Sequence, residues 1–331
     1  MRFHFIRGNG HFARYIFDRF IWYWYPRLHI VKKFPEHVDI ELTNQCNMKC
    51  PMCYSTLERF RKLPNGFMDF NLFKKIIDEC AENGVFSIRL SIRGEPLIHP
   101  QIIDCIRYAK YKRIKEVSFL TNALSLDEHM SAEIIKAGLD WITVSFDGMG
   151  EIYNKIRKPA DYEGALNRIR RFSEMKKSLG SIKPALKIQT VWQAVENNPS
   201  EFNEIFKNLA DMISFNVFIN YEVAFEHDPD FICPNPWQRF IIYWDGKVPK
   251  CINDVFELDI IGDINSSTIK EIWQGALMRR VRKDMLNKDR LKYPSCRKCS
   301  YGAKTEEMKV DIDGLKISTE MQKTDFNINK L

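Results

Sequence analysis

Three cysteines within eight residues constrain this chain more than any other feature. Cys46, Cys50 and Cys53 follow the spacing Cys-x3-Cys-x2-Cys and come directly after an alternating apolar run over residues 38–42. Three thiolates supply three of the four ligands that a cubane iron–sulfur cluster takes, which leaves one iron open to a small molecule. Free cysteines of an ordinary core are rarely packed so closely. Zinc is the alternative, although structural zinc sites usually use two separated pairs of ligands.

The stretch Glu41-Leu-Thr-Asn-Gln-Cys46-Asn-Met-Lys-Cys50-Pro-Met-Cys53 resembles the signature of the radical S-adenosylmethionine (SAM) enzymes. In that family the open iron binds the amino and carboxylate groups of SAM. The cluster then donates an electron that cleaves SAM to a 5′-deoxyadenosyl radical, so the cofactor supplies the radical chemistry. The resemblance implies a 4Fe-4S cluster on the three cysteines and places Met52 near the adenine of SAM.

Composition favours a globular protein of a reducing compartment. The 331 residues suit one large or two ordinary domains, and 45% hydrophobic with 28% charged residues argues against disorder. A net charge of +7 falls short of the concentrated basic surface of a nucleic-acid binder, so we expect no such partner. Nine cysteines are too few for a disulfide scaffold in a chain of this length. We therefore expect a cytoplasmic protein.

Residues 1–36 form an aromatic and basic extension. Its densest stretch, Phe20–Tyr25, is preceded and followed by arginines. It lacks the smooth apolar run of a signal peptide and cannot span a bilayer. We favour a helix that caps the end of the main domain. A helix lying at a membrane interface is the less favoured alternative.

From residue 37 the pattern alternates between strands and helices, which predicts βαβ units with parallel strands. Six units of about 30 residues account for residues 37–220, whereas a complete eight-unit barrel needs about 250. We predict an α/β fold, a partial (β/α)6 TIM-like barrel over residues 37–225, which is also the core fold of the family resembled. The predicted strands are His37–Thr43, Val85–Ser91, Glu116–Leu120, Trp141–Phe146, Ala185–Trp192 and Ile213–Ile219.

Barrel enzymes place their chemistry at the carboxyl ends of the strands. After the second strand, Arg93-Gly-Glu-Pro96 resembles the family's Gly-Gly-Glu-Pro motif, which binds the SAM amino group. A carboxylate such as Glu95 suits an ammonium, and Gly94 allows a close backbone approach to a ligand. Arg93 departs from the motif and puts the backbone approach at that position in doubt. A plain turn is the alternative.

The third and fourth strands end in Thr121–Ala123 and Ser145–Gly148. Both resemble the family's Thr-Asn-Gly and Ser-φ-Asp-Gly endings, with Ala123 in place of the usual glycine, and point toward SAM in relatives. The alternative is that these polar residues only end strands and cap helices. Arg157 either neutralises an anionic group or lies on a solvated basic loop. The resemblance implies these SAM contacts: Met52, Gly94, Glu95, Asn122, Ser145, Asp147 and Gln189. No catalytic acid or base is assigned.

Four further cysteines follow a boundary rich in proline and aspartate at about residues 221–230. They are spaced Cys-x17-Cys-x44-Cys-x2-Cys. We predict a hairpin with a type I′ turn over Phe240–Cys251, which brings Cys233 and Cys251 together. Thr268 and Glu271 form a capping box at the start of a helix. Zinc is an open alternative here too. The four are Cys233, Cys251, Cys296 and Cys299.

This block, with its Trp-Asp-Gly, Val-Pro-Lys-Cys and Ile-Lys-Glu-Ile-Trp stretches, resembles the shortened SPASM, or twitch, domain of radical SAM enzymes. That domain holds one auxiliary 4Fe-4S cluster, so the resemblance implies two clusters in this chain. Cys80 and Cys105 lie on apolar helix faces, and we expect them in the core. We place the domain at residues 226–302, before a polar tail at 303–331 with no assigned role. The cysteine gaps are most similar to those of the 2-deoxy-scyllo-inosamine dehydrogenase type.

The two resemblances imply a radical SAM oxidoreductase. We expect dehydrogenation of a small polar metabolite such as a sugar or aminocyclitol, with an external electron donor such as flavodoxin or ferredoxin. One alternative is a peptide-modifying maturase, although many of these carry an N-terminal leader-binding domain of about 80–100 residues. Another is a non-catalytic iron–sulfur electron carrier, which would not need the SAM-binding strand ends.

Overall fold

Seven parallel strands form the central sheet of the computed structural model, which describes residues 2–219, 221, 226–312 and 314–322. Across the sheet the order is β6-β5-β4-β3-β2-β1-β7. Each adjacent pair is parallel, as the predicted βαβ units require. The strands are β1 (His37–Ile40), β2 (Ser87–Arg89), β3 (Glu116–Thr121), β4 (Trp141–Ser145), β5 (Ala185–Val191), β6 (Met212–Asn216) and β7 (Arg239–Ile242).

The N-terminal extension forms two helices, α1 (Arg2–Gly8) and α2 (Phe12–Arg27), which cover the amino ends of the strands. The buried guanidinium of Arg7 donates two hydrogen bonds, of 2.6 and 2.8 Å, to the carboxylate of Glu116 at the start of β3. The ring of Phe3 packs edge-on against Trp141 at the start of β4. The extension therefore caps the barrel, as predicted. Within the described ranges, no helix has the length and apolar character needed to cross a membrane.

Amphipathic helices connect the strands from β1 to β6. In α4, Phe73, Ile76, Ile77 and Cys80 are buried, and the side chain of Asp69 caps the helix start. Cys105 is buried as well, so both leftover cysteines lie in the core as predicted. The helices are α3 (Glu58–Arg61), α4 (Phe70–Glu82), α5 (Ile102–Tyr111), α6 (Glu128–Ala137), α7 (Gly150–Ile156), α8 (Tyr162–Ser178) and α9 (Pro199–Phe206).

The seventh strand corrects the predicted hairpin. The Asp245-Gly246 turn forms, and the N–H of Tyr243 donates to the carbonyl of Lys247 at 2.8 Å. However, β7 lies beside β1 in a parallel register that pairs His37 with Arg239. The following strand, β8 (Lys247–Pro249), pairs instead with β9 (Ile260–Asp263). Side chains of β7 are buried on both faces, which suits a parallel sheet better than an exposed hairpin.

The remaining elements complete the C-terminal part of the described chain. The capping box of Thr268 and Glu271 begins α11, as predicted. Part of the predicted polar tail forms an antiparallel hairpin of two strands, and residues 323–331 lie outside the described residues. These elements are α10 (Asn235–Gln238), α11 (Ile269–Trp273), α12 (Ala276–Leu286), α13 (Pro294–Arg297), β10 (Thr305–Ile312) and β11 (Leu315–Gln322).

Candidate functional site

The loop after β1 brings the first three cysteines to one cavity at the carboxyl ends of the strands. This cavity measures about 740 Å³ and is lined by Cys46, Cys50 and Cys53 together with residues from the ends of β2 to β6. The N–H of Lys49 donates to the carbonyl of Lys158 at 2.8 Å, which ties the cysteine loop to the segment after α7. The sequence-predicted cysteine motif therefore lies where a barrel enzyme places its chemistry.

The three thiols fit the ligand set of a cubane cluster. Burial raises the pKa of the Cys50 thiol, so its thiolate needs the positive charge that iron supplies. The N–H of Met48 donates to Cys46 Sγ at 3.4 Å, and the hydroxyl of Ser55 donates to Cys53 Sγ at 3.2 Å. Among the described residues, no three Cys, His, Asp or Glu side chains converge as ligands of a single metal ion. Three thiols that line one cavity match the three-cysteine ligand set that the motif predicts.

Gly94 lies against the cysteine loop. A Cβ at this position would stand 2.4 Å from the carbonyl oxygens of both Thr43 and Gln45. The next N–H, that of Glu95, donates to the carbonyl of Gln45 at 2.8 Å. The sequence predicted a close approach to a ligand, whereas the structure shows a close approach to the chain itself. Gly94 still lines the cavity, so a ligand contact through its backbone stays a prediction.

Arg93, which departs from the family motif, joins two parts of the fold. Its guanidinium donates to both carboxylate oxygens of Glu41 at 2.6 and 2.7 Å and to Glu257 at 2.9 Å. It also stacks over the ring of Tyr243 at 3.6 Å from the centroid. Its side chain is fully buried. Glu41 follows β1, and Glu257 belongs to the C-terminal part of the described chain. Arg93 therefore holds these two parts of the fold together, a role that the sequence did not reveal.

Glu95 connects the ends of β2 and β3. Its carboxylate accepts hydrogen bonds from the Thr121 hydroxyl at 2.6 Å, the Asn122 N–H at 2.8 Å and the Leu97 N–H at 3.1 Å. Burial raises the pKa of Glu95 to about 7, and these hydrogen bonds offset part of that effect. The carboxylate also lines the cavity. A cation in the cavity would therefore favour its ionised form.

Of the seven predicted SAM contacts, six line the cavity. The side-chain amide of Asn122 donates to Asn47 Oδ1 at 2.8 Å and lies 3.6 Å from Cys46 Sγ. Ala123, at the position of the usual glycine, has a φ of 61°, in the left-handed region that glycine adopts freely. The six are Met52, Gly94, Glu95, Asn122, Ser145 and Gln189.

Asp147 is the exception, because it lies behind the cavity wall. Its buried carboxylate accepts from the N–H of Val191 at 2.7 Å and forms an ion pair with Arg157. Arg157 itself lines the cavity, which corrects the alternative of a solvated basic loop. Its Nε is buried without a hydrogen-bond partner among the described residues. Asp147 thus orients Arg157, and the predicted direct contact of Asp147 with SAM is not supported by this placement.

The other four cysteines come together in the C-terminal part of the described chain. Burial raises the pKa of Cys251 well above its ordinary value, and the thiols of Cys233, Cys296 and Cys299 add to the shift. The ammonium of Lys250 donates to Cys296 Sγ at 2.8 Å. The side-chain amide of Asn253 donates to Cys299 Sγ at 3.2 Å. Four thiols with such donors, two of them on the buried residues Cys251 and Cys296, fit a fully ligated iron–sulfur cluster.

Residues next to this second set of cysteines line the same cavity. Ser300 and Tyr301, which directly follow Cys299, line the cavity together with the first three cysteines. The N–H of Tyr301 donates to Cys299 Sγ at 3.4 Å. One short segment therefore joins the cavity wall to the second thiol set, a proximity that sequence spacing alone did not reveal.

Two family models match this chain. Residues 40–186 match the radical SAM superfamily, and residues 233–300 match the SPASM iron–sulfur cluster-binding domain. The chain is a radical SAM enzyme with a C-terminal SPASM domain. It uses SAM and a radical SAM 4Fe-4S cluster, and its SPASM domain binds an auxiliary iron–sulfur cluster. The alternative of a non-catalytic electron carrier is therefore excluded.

Several known proteins are similar to this chain at low identity. The tungsten-containing aldehyde ferredoxin oxidoreductase cofactor-modifying protein of Pyrococcus furiosus is 22% identical, over 84% of this chain and 91% of that protein. PqqA peptide cyclase of Gluconobacter oxydans is 31% identical, but the match spans only 35% of this chain and 32% of the cyclase. The structure of BtrN in complex with AdoMet and 2-DOIA superposes with a TM-score of 0.58 at 16% identity, covering 82% of this chain and 94% of BtrN. That likeness shows the fold alone.

Proposed function

We propose that this enzyme removes two electrons from a small polar metabolite, such as a sugar or aminocyclitol. The observation that supports this proposal is that Cys46, Cys50 and Cys53 line a cavity whose wall also includes Ser300 and Tyr301, the two residues that directly follow Cys299 of the second set. Its volume of about 740 Å³ is within the range of small-molecule sites. Because SAM takes part of that volume, the remaining space suits a substrate of the size of a sugar ring. The cysteine spacing, which is similar to that of the 2-deoxy-scyllo-inosamine dehydrogenase type, also supports oxidation of an aminocyclitol or sugar.

Each part of the cavity has a role in this proposal. Cys46, Cys50 and Cys53 hold a 4Fe-4S cluster, and the second thiol set holds another. When bound, the first cluster and SAM would supply the radical that takes a hydrogen atom from the substrate, and the auxiliary cluster would take the second electron while the proton of the hydroxyl or amine leaves to solvent. Glu95 binds the ammonium of SAM, because a carboxylate paired with an ammonium forms a charge-assisted hydrogen bond.

Further residues orient the two small molecules. Asn122, Ser145 and Gln189 contact the polar groups of SAM, and Met52 packs against its adenine. The unpaired Nε of Arg157 suits an anionic group, such as the carboxylate of SAM. Asp147 holds the guanidinium of Arg157 toward the cavity. We propose that an external protein such as flavodoxin or ferredoxin supplies the first electron.

The test uses anaerobically reconstituted protein, a chemical reductant, SAM and a panel of aminocyclitols that begins with 2-deoxy-scyllo-inosamine. We expect one SAM to be consumed per oxidised product and deuterium to move from a substrate carbon into 5′-deoxyadenosine. The double variant Cys296→Ala with Cys299→Ala should retain SAM cleavage and lose oxidised product. Cys105→Ala, which removes a core thiol outside both sets, is the matched control. A redox-neutral product would contradict the dehydrogenase proposal.

Peptide modification is the second candidate. In the described part of the chain, β6 is the edge strand of the sheet, and residues 215–219 at its end line the cavity. An extended peptide can add to such an edge as a further strand. The partial match to PqqA peptide cyclase also favours this candidate. A crosslinked or epimerised peptide as product, with no net oxidation of a small metabolite, would select it.

A further inference from the structure

Helix α2 turns a second apolar face to solvent. Its inner face, with Tyr15, Asp18 and Ile21, is buried against the barrel. The side chains of its outer face are apolar or aromatic, and each is between 43 and 52% exposed. A surface helix of a soluble protein usually turns charged and polar residues to solvent instead. We call this outer surface the aromatic face, and it consists of Phe12, Ile16, Phe17, Phe20, Tyr23 and Trp24.

The aromatic face is continuous and bordered by cations. At roughly 100° per residue, its six side chains fall within an arc of about 140° of the helix. Arg19 lies about 20° beyond one edge of that arc and Arg14 about 60° beyond the other, and Arg27 follows at the end of the helix. The guanidinium of Arg27 stacks on the ring of Tyr23 at 3.5 Å from its centroid. An apolar strip with arginines on both sides is typical of helices that lie in the membrane interface.

Charge is also concentrated in this extension. Residues 1–36 hold seven Arg and Lys against two Asp and Glu, so they contribute +5 of the net charge of +7. Both acidic side chains are already paired with cations, Asp18 with Arg19 and Glu36 with Lys32, and Arg14 also lies 3.8 Å from Glu36. The surface around the aromatic face therefore complements a negatively charged partner.

We propose that the aromatic face is a docking surface for an anionic lipid bilayer. Exposed aromatic side chains enter the boundary between headgroups and acyl chains, and the flanking arginines contact lipid phosphates. Because α1 and α2 cover the amino ends of the strands, the cavity at the carboxyl ends stays open to solvent when the face is bound. Docking holds the enzyme at a membrane without closing its active site.

Cosedimentation of the full chain with vesicles tests this proposal. We use vesicles of equal parts phosphatidylglycerol and phosphatidylcholine, and vesicles of phosphatidylcholine alone. The wild type should sediment with the anionic vesicles and much less with the neutral ones, and added salt should weaken binding. Bromine-labelled lipid should quench tryptophan fluorescence in the wild type, and Trp24→Phe should remove most of that quenching.

Two variants separate the apolar and the charged contributions. Phe17→Ser with Phe20→Ser and Trp24→Ser should lower vesicle binding by about tenfold or more, since three aromatic side chains leave the interface. Leu277→Ser with Leu286→Ser removes two exposed leucines of α12 as the matched control and should bind like the wild type. Arg14→Gln with Arg27→Gln should lower binding to anionic vesicles several-fold. Arg107→Gln with Arg171→Gln, two exposed arginines elsewhere, should not.

Three results would overturn the proposal. The first is a wild type found only in the supernatant with anionic vesicles. The second is an aromatic triple variant that sediments as fully as the wild type. The third is a wild-type dimer, measured by light scattering, that the triple variant converts to a monomer while neither binds vesicles; this would assign the face to a second copy of the chain. SAM cleavage should be unchanged in all these variants, so this test is independent of the proposed function.

Discussion

The ammonium of Lys250 lies 2.8 Å from Sγ of Cys296, inside the C-terminal thiol set. Lys250 is 2% exposed, and its ammonium also lies 4.2 Å from the centroid of the Tyr293 ring. A buried cation that donates to a ligand thiolate stabilises the more negative, reduced state of a cluster. This contact would therefore raise the reduction potential of an auxiliary cluster held by these thiols.

Lys250→Met should lower the reduction potential of the auxiliary cluster. A hydrogen bond to a charged group contributes about 1.5–3 kcal/mol. If all of this energy favours the reduced state, its loss lowers the potential of a one-electron couple by about 60–130 mV. A redox titration followed by electron paramagnetic resonance measures the shift. Lys292→Met, a partly exposed lysine paired with Asp284, is the control. An unchanged potential in Lys250→Met with normal iron content would refute the role of this contact.

Reconstituted wild-type protein should contain about eight irons per chain, because two cubanes are expected from the two thiol sets. Replacing Cys46, Cys50 and Cys53 by alanine should halve that number and abolish SAM cleavage. Iron analysis and visible absorption spectra measure the content. Cys80→Ala should leave the iron content unchanged. Four irons in the wild type, or zinc in the C-terminal set, would rule out two cubanes.

Glu95→Gln should weaken SAM binding and remove its dependence on pH near neutrality. Burial raises the pKa of Glu95 from 4.5 to about 7, and only the ionised carboxylate attracts the SAM ammonium. In the wild type, affinity should therefore rise with pH up to and just beyond about 7. In the absence of SAM, pH acts on folding stability in the opposite direction. Glu95 contributes most to the free energy of unfolding at low pH, and this contribution decreases as the pH rises from 4.5 through about 7.

Equilibrium SAM binding to the reconstituted protein over this pH range measures the effect. The exposed Glu58→Gln serves as control, because its side chain lies far out in solvent. If Glu95→Gln binds SAM as tightly as the wild type with the same pH profile, Glu95 serves only to join β2 to β3.

Arg93→Met should destabilise the fold by about 3–5 kcal/mol, because it leaves the buried carboxylate of Glu41 without its partner. Combining it with Glu41→Met should recover part of that loss, since both buried charges are then absent. Thermal unfolding measures the difference. Arg107→Met breaks an exposed ion pair with Glu133 and should cost less than about 1 kcal/mol. Equal midpoints for Arg93→Met and Arg107→Met would contradict the joining role of Arg93.

Gly94→Ala should displace the cysteine loop and lower iron incorporation, because its methyl group would stand 2.4 Å from two carbonyl oxygens. Gly180→Ala is the control: Gly180 has a φ of 60° but open space around it, so the substitution strains only its own backbone. Iron content after reconstitution compares the two. A Gly94→Ala protein with full iron would show that the loop moves without affecting the thiols.

Local patterns predicted most of the barrel and both thiol sets. Cysteine spacing, strand periodicity and the capping box at Thr268 depend on neighbours in sequence, so they can be read from the chain directly. Contacts between distant residues could not be read this way. Arg93 looked like a departure from a glycine motif because its partners, Glu41 and Glu257, lie far away in sequence. The Asp245-Gly246 turn was predicted, but a turn signal does not say which strand β7 joins.

The pairing of β1 with β7 has a consequence for how the chain folds during synthesis. His37 at the start of β1 meets Arg239, so the first barrel strand lacks its outer neighbour until most of the polypeptide has left the ribosome. Contacts of such long sequence separation form late and slowly, because the intervening loop must close first. The cysteine loop that follows β1 therefore gains its last neighbouring strand only after β7 has been synthesised. Stable binding of iron by Cys46, Cys50 and Cys53 should then come after the synthesis of β7.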